Sequence, residues 1–144
     1  MFRRSLVLAT VITVAVGAAS AASAATVKFH ATLNAASEAP PTKSTGTGEA
    51  TATLDTATHE LTYNVTFSGF SSEVTAAHIH GPAPAGKNAG VLVPLGVTPK
   101  SPIHGTVKLT AEQQKQMEDG MTYVNIHSKQ HPSGAIRGQL TEVK

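Results

Sequence analysis

The chain has 144 residues, 11 basic and 9 acidic side chains, seven histidines and no cysteine. The lack of cysteine excludes disulfides, thiolate metal ligands and thiol nucleophiles, so any metal chemistry must use nitrogen and oxygen donors. The formal charge of +2 does not mark a nucleic-acid binder, because Arg3 and Arg4 sit in a segment built like an export signal.

That segment, Met1 to Ala24, joins the charged start to an apolar run from Leu6 to Val16 and a small-residue site, Ala22-Ser23-Ala24. The run is too short to span a bilayer and reads as a secretory signal peptide cleaved near Ala24-Ala25. Its loss leaves nine of the 11 basic residues against 9 acidic ones. The expected product is one exported domain, residues 25–144, periplasmic or secreted. Neither nucleic acid nor membrane insertion is expected of it, and a protein or a metal ion is the partner class left open.

The expected elements are short strands separated by Gly, Pro, Ser and Asn clusters. Val27 to Leu33 alternates apolar and polar residues, and the polar loop Ser37 to Gly48 follows. Glu49 to Leu54 forms a second strand, and Asp55 to His59 turns the chain into the third. In that third strand, Glu60 to Phe67, Leu61, Tyr63, Val65 and Phe67 share one face. Its threonine and valine content favours strand over helix. Val74 to His80 runs into a long loop, Gly81 to Gly90, and Val91 to Leu95 resumes the apolar pattern. Gly105 to Leu109 feeds the one helix candidate, where Thr110 and Gln113 have capping-box spacing and Gly120 fits the stop. Met121 to His127 and Ala135 to Val143 read as the last two strands. The expected fold is all-β, an antiparallel sandwich or barrel of about eight strands with one short helix.

The chemistry concentrates in histidine. His78-x-His80 on a strand places two imidazoles on one face, with Cα atoms roughly 6.5–7 Å apart. Ile79 between them belongs to the core, which turns both rings away from it. The same alternation puts Tyr123, Asn125 and His127 opposite Val124 and Ile126. If the two strands are neighbours, His127 completes a three-histidine set, and His131, four residues on, is a candidate fourth ligand. Imidazole donors without thiolate suit copper(II) or zinc. A shared ion requires the rings to converge to within about 4 Å. The alternative is a set of rim histidines bonded to loop carbonyls. Asn125 and Arg137 are candidate binding or structural rim residues, and a structural salt bridge or loop clamp is the simpler role for Arg137. No hydrolase motif occurs, and no catalytic residue is nominated.

Ala77-His78-Ile79-His80-Gly81, Gly90-Val91-Leu92-Val93, Tyr123-Val124-Asn125-Ile126-His127 and Gly134-Ala135-Ile136-Arg137-Gly138-Gln139-Leu140 together resemble the CHRD domain, first described in chordin. The resemblance runs from about Lys28 to Leu140. Ala135 departs from it, standing where the family often has an acidic residue. It implies an immunoglobulin-like β-sandwich or barrel, found as a single exported domain in bacteria, and carries no reaction with it. A looser likeness, limited to His78-x-His80, is to copper/zinc superoxide dismutase. The missing cysteine, aspartate-bearing zinc loop and bridging histidine all depart from that family. The sequence thus favours a non-enzymatic, exported binding module. The alternative is a copper- or zinc-binding protein using a histidine cluster, with superoxide-dismutase-like redox activity as its furthest extension.

Overall fold

The computed structural model describes residues 23–144. Of the expected signal segment, residues 1–22 lie outside the described residues. Nine strands and one α-helix follow in chain order. They are β1 (Thr26–Leu33), β2 (Thr47–Asp55), β3 (Glu60–Ser68), β4 (Val74–His80), β5 (Val91–Val97), β6 (Ile103–Lys108), α1 (Ala111–Glu118), β7 (Tyr123–Ser128), β8 (Ile136–Gln139) and β9 (Thr141–Glu142). They form two antiparallel sheets, one ordered β6-β3-β2-β1-β9 and the other β5-β4-β7-β8. This is the β-sandwich expected from the alternating pattern.

In β1 to β3 the alternation sorts side chains by face, as a half-buried sheet requires. Leu33, Leu54 and Leu61 are fully buried, while the threonines between them face outward. The opposing sheet contributes Ile79, Val124, Ile126 and Ile136, each at most 1% exposed. The helix has its expected cap: the Thr110 hydroxyl accepts from the Gln113 N–H, and the Gln113 side chain accepts from the Thr110 N–H. Gly120 follows with φ of 72°, and Met117 anchors the helix in the core.

The expected last strand needs one correction. Ala135 to Val143 does not run as one strand but divides between the sheets. β8 pairs with β7, and β9 pairs with β1 at His30↔Thr141. Leu140 lies between them, 1% exposed, its N–H donated to the Thr122 carbonyl at 2.9 Å. An apolar side chain that must be buried, flanked by polar residues on both strands, marks the crossing. Gly138 permits it: a Cβ there would lie 2.3 Å from the Thr32 carbonyl oxygen.

A two-bond bridge also ties the sheets together. Asn34 and Arg137 exchange N–H···O bonds at 3.1 Å. Beyond it a 3-10 turn, Ala35–Ser37, starts with the Asn34 side chain accepting from the Ser37 N–H. This lays residue 38 over the outer face of β8. Among the described residues no helix is long and apolar enough to cross a membrane.

Candidate metal centre

β4 and β7 are hydrogen-bonded neighbours, which is the condition that the histidine pattern required. Their register sets His80 opposite Tyr123, His78 opposite Asn125 and Ala76 opposite His127. Ile79 and Ile126 point into the core, so His78, His80 and His127 share the other face, each half-buried. One ligand nitrogen from each lies within 4.8 Å of the others. That bound is looser than the 4 Å expected, but the closest pair, His78 Nδ1 and His127 Nε2, is 3.1 Å apart. Two ligands at about 2.0–2.1 Å from a tetrahedral ion would lie about 3.4 Å from each other.

The remaining ring nitrogens fix the tautomers. His80 Nδ1 is 2.9 Å from the Ala89 carbonyl oxygen, and His127 Nδ1 is 2.9 Å from that of Pro132. A carbonyl only accepts, so both Nδ1 atoms donate and both Nε2 atoms keep a lone pair. His80 Nε2 is buried and has no hydrogen-bond partner. Because His127 Nε2 can only accept, the contact at 3.1 Å makes His78 Nδ1 its donor. A cation there would replace that shared proton while His78 moves its hydrogen to Nε2, with no change in ring charge.

Electrostatics favour the neutral form of His78 and His80. Burial, then the neighbouring His127 and His80, hold His78 below the usual histidine range. Burial does the same to His80 and outweighs the bond to the Ala89 carbonyl, which raises it; His127 and Arg137 lower it further. Neutral imidazole is the ligating form, so these shifts preserve metal-binding capacity into mildly acidic conditions.

Beside the cluster lies a polar layer under two loops. Arg137 Nε donates to Glu38 Oε2 at 3.0 Å, Nη2 forms an ion pair with the same oxygen at 2.9 Å, and Asn125 Nδ2 donates to Glu38 Oε1. Arg137 Nη1 donates to the Lys87 carbonyl at 3.0 Å, and Nη2 to Asn88 Oδ1 at 2.7 Å. The guanidinium carbon stands 4.2 Å from the Tyr123 ring centroid, and that ring stacks on His80 at 5.0 Å, 4° from parallel. Glu38 and Arg137 are each 5% exposed, so the pair is desolvated.

A family model for the CHRD domain matches residues 29–140. The chain belongs to the CHRD domain family. No curated protein and no solved structure matches it.

Of the candidate residues in this CHRD domain, His78, His80 and His127 come together, and His131 does not join them. His131 lines a cleft of about 840 Å³ that also reaches His80, Tyr123 and Asn125. Its Nε2 is buried without a partner. Asn125 and Arg137 belong to the Glu38 network. Glu38, Asn88 and Tyr123 carry the support of the site; Glu38 and Asn88 escaped the sequence reading, and Tyr123 was given a face but no role. Glu38 is 99 residues from Arg137, and no local pattern distinguishes it from the other acids. Tyr123 carried a signal, since its alternation places it on the face of Asn125 and His127.

Proposed function

We propose that this CHRD domain is an exported metal-binding protein in which His78, His80 and His127 hold one copper or zinc ion. The observation that carries the reading is the treatment of the second ring nitrogen. His80 and His127 each commit Nδ1–H to a backbone carbonyl, which fixes the tautomer that leaves Nε2 for a ligand. That outer arrangement is the usual companion of metal-ligating histidine. The all-nitrogen donor set suits copper(II) or zinc. The cluster lends the metal alternative more weight than the non-enzymatic binding module that the sequence favoured.

Three protein ligands leave a coordination position free, which is the arrangement of reactive rather than closed centres. Superoxide dismutation is the redox activity to assay on copper-loaded protein. The test of the binding reading is metal titration of protein purified without a histidine tag. Wild type should take up one equivalent of copper(II) or zinc, and the His78→Ala/His80→Ala double variant should not. Equal metal content in the two proteins removes the proposal.

A further inference from the structure

Two routes lead from Arg137 to His80, and their functional meaning rests on the metal reading above. We infer that Arg137 and Glu38 are positioning residues of the centre. They fix the tautomer and orientation of His80, and so set the affinity and coordination geometry, without touching the ion.

The first route is through the backbone of the loop between β4 and β5. Arg137 binds Lys87 and Asn88, and the next residue, Ala89, supplies the carbonyl that accepts from His80 Nδ1. The same Ala89 donates its N–H to the Tyr123 hydroxyl at 3.0 Å. The second route is the stack, in which Arg137 covers Tyr123 and Tyr123 lies parallel to His80. Both contacts that orient the His80 ring are therefore reached by one guanidinium.

The loop needs this help. Pro84, Ala85, Gly86, Lys87 and Asn88 are exposed, and a Cβ at Gly86 or Gly90 would meet nothing within 4 Å. A segment with so little packing of its own holds a carbonyl in place only through hydrogen bonds to something rigid. Arg137 is rigid because Glu38 engages Nε and Nη2 from the far side, and Asn125 in turn fixes Glu38. A buried ion pair that merely satisfied itself would have no use for an exposed loop. The planar fork of arginine reaches the carboxylate and the loop together, which a lysine cannot do.

The experiment compares wild type with Asn88→Ala and Arg137→Lys, using copper(II) alone as the probe. Asn88 is exposed, so its variant should still fold, with a melting temperature lowered by the loss of its bonds to Arg137 and the Ala39 carbonyl. Loss of outer support typically weakens metal affinity about 10- to 100-fold. Both variants should bind copper(II) at least about tenfold more weakly, with altered electron paramagnetic resonance parameters. In metal-free protein, nitrogen-15 NMR should find His80 as the Nδ1–H tautomer in wild type and as a tautomer mixture in the variants. Copper binding by wild type, with unchanged affinity, spectrum and His80 tautomer in Asn88→Ala and Arg137→Lys, overturns the positioning role alone. Failure of wild type itself to bind copper(II) or zinc overturns the metal reading and this inference with it.

Discussion

Replacing Glu38 with alanine removes the carboxylate that accepts from both Arg137 and Asn125, and leaves a guanidinium and an amide without that partner. The Arg137 side chain is 6% exposed and that of Glu38 3%, so water cannot substitute for the lost partner. Breaking one side of a buried ion pair costs about 3–5 kcal/mol. Arg137 keeps the Lys87 carbonyl and Asn88, which places the expected loss near the lower end, about 3 kcal/mol. Urea unfolding of metal-free protein reads this directly. With an m-value of about 1.5 kcal/mol/M, the midpoint should fall by about 2 M with the slope unchanged. Replacing both residues with methionine should recover much of the loss, because no unpaired charge remains. A loss below about 1 kcal/mol for Glu38→Ala would contradict a desolvated pair, since that is the range of a solvent-exposed one.

The histidine shifts give a pH prediction for metal-free protein. The folded-state pKa values of His78 and His80 lie below the unfolded value of about 6.5, so the unfolded chain binds more protons as pH falls through that value. Their contribution is therefore complete above pH 6.5 and lost on acidification below it, and melting curves of His78→Asn/His80→Asn should lack this component. Gly138→Ala should be strongly destabilising, by about 3 kcal/mol or more, because its Cβ would strike Thr32 backbone rather than a movable side chain. Near-wild-type urea unfolding of that variant would contradict the crossing of β8 into β9. Thr110→Ala should cost about 1 kcal/mol by uncapping the helix that seats Met117, and lower the melting temperature by about 4 °C.

The strands were largely legible because alternation reports burial directly. Glu60 to Phe67 was read to within a residue of β3, and Thr110 with Gln113 named the helix start. His78 and His80 were legible as a same-face pair for the same reason. Their meeting with His127 depended on β4 and β7 being neighbours, which is a property of topology and not of either segment. The split of the last strand was hidden because Leu140 continues an apolar alternation that in fact changes sheets. Glu38 was the hardest to see. Its partners, Asn125 and Arg137, come from β7 and β8 near the other end of the chain, and the Asn34–Arg137 bridge helps bring it there.

Three imidazoles are the proposed ligands of the metal. X-ray absorption on protein loaded with one equivalent of copper(II) counts those ligands directly. Three imidazole nitrogens at about 2.0 Å, reduced in number in His127→Ala, are the predicted result. A spectrum with a single imidazole, or one unchanged by loss of His127, would contradict the site formed by His78, His80 and His127.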